Sequence, residues 1–349
     1  MNNFSLTRQD TSVIKGIAIL AMLCHHLYGC PPEGVMSYSG VLEWLGLFGK
    51  VCIALFLFCS GYGLSSNYQP QSIVDDIKFT AKRFVKFYAN YWVISLIFVP
   101  ITIFVFHRSL TDAYGADANV IKCLCLDVLG VQGYNSYNVT WWFNKLIIML
   151  YVLYPLLNRI VRIKPEIVLP CSMVIMGISE YIPIHTADIW IWQFPFVFGI
   201  AWKLCESRLV KIQQWLTNHK RVFELMSIVV LIITIIFRMN EIIPHWSGVK
   251  MDSFITCSIV LCLISIIRNW HHVMLILAFI GKHSMNIYFT HTFINSYWFP
   301  QLLYTGEWLR GGGNFVVLIA ICLLISIGIE FLKEKIRLYE LVNIISKRI

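Results

Sequence analysis

The chain has 349 residues, of which 58% are hydrophobic and only 13% are charged. Soluble domains carry about 25% charged residues, so this composition excludes an ordinary soluble protein and indicates one that crosses a membrane several times. The formal net charge of +9 comes from short basic loops between apolar runs, which is typical of membrane topology and excludes a nucleic-acid partner. We therefore predict one all-α transmembrane helical bundle, with residues 1–349 forming a single integral-membrane domain in the lipid bilayer.

Ten apolar runs are long enough to cross a bilayer core of about 30 Å, which takes roughly 20 helical residues. They lie at 12–29, 48–66, 85–106, 141–160, 166–183, 187–205, 222–240, 251–267, 284–300 and 314–332. If the N-terminus is cytoplasmic, most of the 28 Lys and Arg residues fall on the cytoplasmic side, while a minority that includes Arg310 falls on the other. This bias predicts that both termini are cytoplasmic.

The eleven cysteines are scattered, mostly inside the apolar runs. No paired CxxC spacing occurs among them, so the sequence predicts neither a zinc site nor a disulfide framework. We expect them to be buried small hydrophobic residues, and we expect no bound metal.

The stretch AILAMLCHHLYG, residues 18–29, places His25 and His26 inside the first apolar run. With a helix starting near Ser12 and a rise of about 1.5 Å per residue, His26 lies about 21 Å from the cytoplasmic end, in the outer half of the membrane. Neighbouring helical residues point about 100° apart, so we expect the two imidazoles to face different partners. Imidazole titrates near neutral pH, which favours a general base or acid.

Three other interpretations of these histidines remain open. They could be hydrogen-bonding partners between helices, or they could belong to a proton-relay transporter, which normally adds carboxylates at mid-depth. They could also bind haem, which needs a facing histidine at matched depth, and His291 is the other clearly intramembrane candidate.

A basic cluster opens the third apolar run, in FTAKRFVKFYANYW. Lys82, Arg83 and Lys86 lie at positions i, i+1 and i+4, on adjoining faces of the same helical turns. Such residues commonly anchor a helix at the membrane surface. They could equally bind phosphate groups on the cytoplasmic side, because an Arg fork suits phosphate oxygens.

The segment GKHSMNIYFTHTF, residues 281–293, carries polar groups in an apolar run. Ser284, Tyr288 and His291 follow at i, i+4 and i+7, which is one stripe of a helix. This stripe could form hydrogen bonds between helices, or it could line a substrate channel.

Five segments in chain order resemble the acyltransferase-3 family of multi-pass bacterial membrane acyltransferases. The segments are SVIKGIAILAMLCHHL, VCIALFLFCSGYGLSSNY, AKRFVKFYANYW, TWWFNKLIIMLYVLYPLL and GKHSMNIYFTHTF. The resemblance implies an O-acetyltransferase type of enzyme in the bacterial cytoplasmic membrane. Such an enzyme moves an acyl group, usually acetyl, from cytoplasmic acyl-CoA to a hydroxyl of an extracytoplasmic glycan or related acceptor.

The resemblance also implies roles for particular residues. The family's critical histidine lies eleven residues after the basic residue that opens the first helix, and counting from Lys15 gives His26, with His25 as the additional one. The family's basic motif in the third helix, with two arginines, corresponds here to Arg83 and Lys86, and the proline often found downstream is absent. Lysine is a point charge rather than a fork, so bidentate phosphate recognition is weakened at this position.

On this basis we expect Lys82, Arg83 and Lys86 to bind acyl-CoA, which is a donor substrate and not a permanently bound cofactor. We expect the catalytic residues to be His26 and His25. The residues expected to line the substrate path are Trp142, Ser284, Tyr288 and His291. The alternative function is a transporter or flippase for a glycan or a lipid-linked precursor, and a third is a structural scaffold. The oligomeric state is left open.

Overall fold

The computed structural model describes residues 4–35, 37–69, 72–183, 188–240, 248–304 and 312–349, and every regular element within these ranges is a helix. The α-helices are α1 (Arg8–Cys24), α2 (Val41–Phe48), α3 (Cys52–Ser65), α4 (Ile73–Phe104), α5 (Leu110–Tyr114), α6 (Val120–Val128), α7 (Trp142–Ile163), α8 (Pro165–Gly177), α9 (Ile189–Cys205), α10 (Val210–Asn218), α11 (Lys220–Asn240), α12 (Asp252–Ser265), α13 (His271–Lys282), α14 (Ser284–Thr292), α15 (Pro300–Tyr304), α16 (Gly313–Lys335) and α17 (Leu338–Arg348). Two π-helical segments, His25–Gly29 and Phe293–Trp298, continue α1 and α14.

Within the described ranges, seven helices are long and apolar enough to cross a membrane. They are Arg8–Gly29, Val41–Ser65, Ile73–Phe104, Val139–Ile163, Lys220–Asn240, Gly248–Asn269 and Gly313–Lys335. The bent pair His271–Lys282 and Ser284–Trp298 adds an eighth if it is one span. With the shorter helices α8 and α9, these elements coincide with all ten predicted runs. The all-α transmembrane fold class is confirmed. Two predicted positions, Arg310 and the first residue of the run 187–205, lie outside the described residues.

Helix α4 begins well before the apolar run that predicted it. The run starts at residue 85, but the helix starts at Ile73, where the Ser72 side chain accepts a hydrogen bond from the Asp75 main-chain N–H. This N-cap, with Asp75 and Asp76 in the first turn, stabilises the helix start through the helix dipole. The added turns carry several polar residues, so a search for apolar runs misses them. The basic cluster therefore lies after the first turns of α4 and not at its start.

The chain divides into two compact units. The first comprises Met1–Met22, Lys50–Gln69 and Leu153–Lys282, and the second comprises Leu23–Gly49, Pro70–Val152 and His283–Ile349. Every site residue predicted from the sequence belongs to the second unit.

In the first unit, α3 and α9 cross in close contact. A Cβ atom added at Gly61 would lie 2.1 Å from the Phe196 carbonyl oxygen, and one added at Gly199 would lie 2.2 Å from the Phe58 carbonyl oxygen. Small residues of this kind let two membrane helices approach until their backbones touch, which increases van der Waals packing where no hydrophobic driving force exists.

In the second unit, α4 packs along α14 and its π continuation through aromatic rings. The Phe289 ring centroid lies 6.3 Å from that of Phe87 and 5.4 Å from that of Tyr91. Further along both helices, the Phe293 ring lies 5.4 Å from that of Phe98. The two segments therefore run side by side in the same direction, which fixes the level of α14 residues against α4 residues.

Candidate active site

The first span changes from α-helix to π-helix at its histidines. The Cys30 main-chain N–H donates to the His25 carbonyl, five residues back, at 3.0 Å. The next residue is Pro31, which has no N–H, so the His26 carbonyl receives no main-chain donor from the following turn. Short π segments of this kind are frequent at functional sites.

Side chains from later in the chain bind the His26 carbonyl instead. The Tyr304 hydroxyl donates to this oxygen at 3.2 Å, and the Asn295 side-chain amide donates to it at 3.4 Å. Asn295 lies in the second π segment, which ends in the same way, with the Phe299 N–H bonded to the Ile294 carbonyl just before a proline. Both π segments are therefore held together at the histidine.

The structure brings His26 and His291 together. Their ring centroids lie 4.9 Å apart, with the ring planes tilted by 46°. His291 is fully buried, whereas His26 is only partly buried. Two histidines that the sequence predicts to lie inside membrane spans are therefore neighbours in the structure.

Hydrogen bonds fix the proton on the His291 ring. Its Nδ1 atom lies 3.1 Å from the Ile287 carbonyl oxygen and 2.9 Å from the Tyr288 carbonyl oxygen. Both partners are acceptors, so Nδ1 carries a proton, and Nε2 is the acceptor in the neutral ring. Nε2 lies 3.2 Å from the Thr292 hydroxyl oxygen.

His25 has different partners from His26. Its Nδ1 atom lies 2.8 Å from the Gly46 carbonyl oxygen, and its Nε2 atom lies 3.7 Å from the Cys30 sulfur. Helix α2 can come this close because residue 46 is glycine. A Cβ atom added there would lie 2.3 Å from the Gly29 nitrogen. The two histidine rings still touch edge to face, with centroids 5.1 Å apart, since a π turn rotates by less per residue than the α turn assumed from the sequence.

A chain of hydroxyl groups leads away from the histidine pair. The Thr292 and Thr140 hydroxyl oxygens lie 3.1 Å apart. The Asn138 side-chain oxygen accepts from the Thr140 hydroxyl at 2.7 Å and from the Thr140 N–H at 3.1 Å. Sequence reasoning missed Asn138 and Thr140, although an Asn directly before an apolar run is a typical helix N-cap.

Two buried amide groups near this chain have no partner among the described residues. They are the Nδ2 atoms of Asn138 and Asn144, and both residues are fully buried. A buried donor without a partner costs about 1–3 kcal/mol. The fold keeps both donors buried despite this loss of stability. Buried polar groups without partners commonly have a functional explanation.

The other predicted path residues lie at different places. The Tyr288 hydroxyl donates to the Thr140 carbonyl at 2.7 Å, close to the hydroxyl chain. Trp142 stacks on Tyr134, with ring centroids 5.0 Å apart, and so belongs with the loop that precedes α7. Ser284 is buried at the first position of α14, two helical turns before His291.

The basic cluster lies on α4, where the aromatic packing begins. The Arg83 guanidinium sits 4.8 Å from the Phe79 ring centroid, and Lys86 is exposed. The next residue, Phe87, contacts Phe289 of α14. The cluster is therefore at one end of the α4–α14 contact, and the histidine pair lies further along it.

A buried lysine near the cluster had no sequence signal. The Lys333 ammonium, with 1% of the side chain exposed, donates to the side-chain oxygens of Asn90 at 2.7 Å, Asn286 at 2.6 Å and Glu330 at 3.1 Å. Asn90 is one turn beyond Lys86, whose carbonyl accepts from the Asn90 amide at 2.8 Å. This network joins α4, α14 and α16, which holds the basic cluster in register with the histidine pair.

Asp127 organises the loop before α7. Its Oδ2 atom accepts hydrogen bonds from the Tyr114 hydroxyl and the Tyr137 N–H, each at 2.6 Å. Burial raises the pKa of the Asp127 carboxyl, while these hydrogen bonds oppose the rise. In addition, burial and the neighbouring carboxylate raise the pKa of Tyr114, so its hydroxyl stays protonated and continues to donate.

Three imidazoles lie in a row in this unit, in the order His25, His26 and His291. Across the described residues, no group of three or more His, Cys, Asp or Glu is arranged to hold a metal ion. Neighbouring imidazoles suit proton transfer, because neutral imidazole can both accept and donate a proton.

Apolar spans that carry polar imidazoles define a multi-pass membrane protein. The family model described as an acyltransferase domain, that of the acyltransferase-3 family, matches residues 10–332, so the chain belongs to this family. The resemblance seen in the five segments is confirmed, and the protein is a membrane acyltransferase. No curated protein and no solved structure matches the chain.

Proposed function

We propose that this acyltransferase moves an acyl group, most simply acetyl, from cytoplasmic acyl-CoA to a hydroxyl of an extracytoplasmic glycan or related acceptor. Its membrane would be the bacterial cytoplasmic membrane, with both chain termini inside. The observation that carries the proposal is the His26–His291 pair, 4.9 Å between ring centroids, inside the spans of a chain of this family.

In this proposal, acyl-CoA binds its phosphates on Lys82, Arg83 and Lys86. The arm that links the nucleotide to the thioester is thin and uncharged, so it can enter the bundle while the phosphates remain outside. The aromatic contacts of Phe289 and Phe293 with α4 bracket His291, which sets it about eight residues, or roughly 12 Å, beyond Lys86 along α4. The cluster and the histidine pair therefore suit the two ends of one extended donor.

His26 is the proposed general base. The acceptor oxygen attacks the thioester carbonyl carbon and gives its proton to His26. The C–S bond then breaks, and the proton passes to the departing CoA sulfur, so the reaction consumes and releases no net proton. His291 supports this role because its Nε2 is unprotonated and can accept a hydrogen bond from a neighbouring side chain. The Tyr304 hydroxyl also supports it, because its bond to the His26 carbonyl fixes the His26 backbone.

A transfer assay with the purified protein in lipid nanodiscs tests the proposal. Acetyl-CoA labelled in its acetyl group is supplied with the lipid-linked oligosaccharides of the host as acceptor, and thiol release and label transfer are followed together. We expect both to rise above those of empty nanodiscs. In sealed proteoliposomes of the same lipids, movement of the oligosaccharide lipid across the bilayer without loss of thioester would contradict the proposal and support the flippase alternative.

A further inference from the structure

Asn138 presents one free donor in a fixed direction. Its side-chain oxygen accepts from the Thr140 N–H and hydroxyl, and the N–H partner settles which end of the amide is oxygen. The Nδ2 end is fully buried and has no acceptor among the described residues. A buried, oriented N–H group without an acceptor is what a carbonyl oxygen of a substrate requires.

The backbone on both sides of Asn138 is held in place. The Arg108 guanidinium donates to the Tyr137 carbonyl at 2.7 Å and lies 3.9 Å from the Tyr297 ring centroid. The Tyr297 hydroxyl in turn accepts from the Val139 N–H at 3.3 Å. A donor fixed in this way does not reorganise when negative charge develops on a substrate oxygen, which is the requirement for electrostatic catalysis.

Asn138 also lies close to the histidine pair. Its partner Thr140 lies 3.1 Å, oxygen to oxygen, from Thr292, which lies 3.2 Å from Nε2 of His291. The second such amide, on Asn144, lies on the side of the basic cluster. The Asn144 Cβ and a ring atom of Phe87, the residue after Lys86, both lie within 4 Å of the Cβ position at Gly130 and are therefore near each other. The two donors therefore follow one another from the cluster to the imidazoles.

We propose that Asn138 and Asn144 bind the carbonyl oxygens of the acyl-CoA donor. Asn138 donates Nδ2–H to the thioester carbonyl oxygen, and Asn144 donates Nδ2–H to an amide carbonyl of the arm nearer the phosphates. This assignment rests on the proposed acyl transfer.

Asn138 contributes to the chemical step through the carbonyl oxygen. When the acceptor oxygen bonds to the carbonyl carbon, the C=O electron pair moves to this oxygen, and Asn138 stabilises the resulting oxyanion. The pair returns as the C–S bond breaks, the sulfur leaves as thiolate, and the proton held by the imidazole neutralises it. The products are the acyl ester of the acceptor and CoA thiol.

Two variants remove the amide Nδ2–H donor while keeping the N-cap. Asn138→Asp retains an oxygen at the capping position, and Asn138→Ser retains a capping hydroxyl, because Asn, Asp and Ser cap helices about equally well. We expect each to lower kcat by about 100-fold or more, the usual effect of removing one oxyanion donor. The matched control is Asn135→Asp, the same chemical change at an exposed position of the same loop, and it should leave kcat unchanged.

A ligand comparison separates this proposal from the proposed function. S-ethyl-CoA is a thioether that keeps the whole carrier but lacks the thioester carbonyl. Wild-type protein should bind acetyl-CoA roughly threefold to tenfold more tightly than S-ethyl-CoA, the range expected for one hydrogen bond, and both Asn138 variants should bind the two ligands equally. Variants that keep the preference and the rate would overturn the role of Asn138 while leaving acyl transfer intact. Absence of acyl-CoA binding and thioester consumption in the wild type would overturn both.

Discussion

Replacing His26 with alanine should lower the rate of acyl transfer by about 10²–10⁴-fold, the usual contribution of a positioned general base. The loss should fall on kcat, because the basic cluster proposed to bind the donor is untouched. His26 is only partly buried and its backbone carbonyl keeps the Tyr304 bond, so the variant should insert and fold. The measurement is thiol release in nanodiscs, with folding checked by size exclusion and thermal melting.

Two further variants make this result specific to the pair. His271→Ala removes an exposed histidine and should leave the rate unchanged. If His26 and His291 act as a unit, the double alanine variant should lose little more than His26→Ala alone, because groups that act together are strongly non-additive. Losses that multiply would show two independent histidines, and a His26→Ala protein with near-wild-type rate would refute the assignment of the base.

Replacing Arg83 with alanine should raise KM for acetyl-CoA by about 10-fold to 100-fold, with a smaller effect on kcat. A hydrogen bond to a charged group contributes roughly 1.5–3 kcal/mol, which corresponds to that range. Arg83 should matter more than Lys86, because its planar fork can bind two phosphate oxygens at once. The measurement is the steady-state KM for the donor at fixed acceptor concentration.

The comparison donor for this variant is acetyl-pantetheine, which carries the thioester and no phosphate. Wild-type protein should prefer acetyl-CoA, and Arg83→Ala should reduce that preference without changing KM for acetyl-pantetheine. Lys78→Ala, an exposed basic residue one turn before Lys82 on the same helix, is the matched control and should alter neither constant. Equal increases of KM for both donors would mean that Arg83 acts on the fold and not on phosphates.

The spans could be predicted from the sequence because each depends on a local property, the apolar run. All ten runs coincide with helices of the structure, and the largest boundary error, at α4, arose where polar turns precede the span. The histidines were identifiable by the cost of burying an ionisable group in a membrane. Their pairing was not predicted, because His26 and His291 come from opposite ends of the chain.

The residues that sequence reasoning missed depend on long-range contacts. Asn138 is a common N-cap residue in a polar loop, and its importance appears only when the fold buries its Nδ2 with no partner in the part of the chain that the structure describes. Lys333 lies at the end of an apolar run and resembles an ordinary membrane anchor, yet the fold buries its ammonium among Asn90, Asn286 and Glu330. The π turn at His25 depends likewise on partners supplied by the second π segment and α15.

We propose above all that the His26–His291 pair transfers an acyl group from acyl-CoA to a surface glycan. Mass spectrometry of cell-surface glycans tests it most directly, in cells that lack the gene and in the same cells carrying the wild-type or the His26→Ala protein at equal membrane abundance. The account predicts an acetyl-bearing glycan species with the wild-type protein and its loss in both other strains. Glycans of identical mass in all three strains, or full acetylation with His26→Ala, would contradict it.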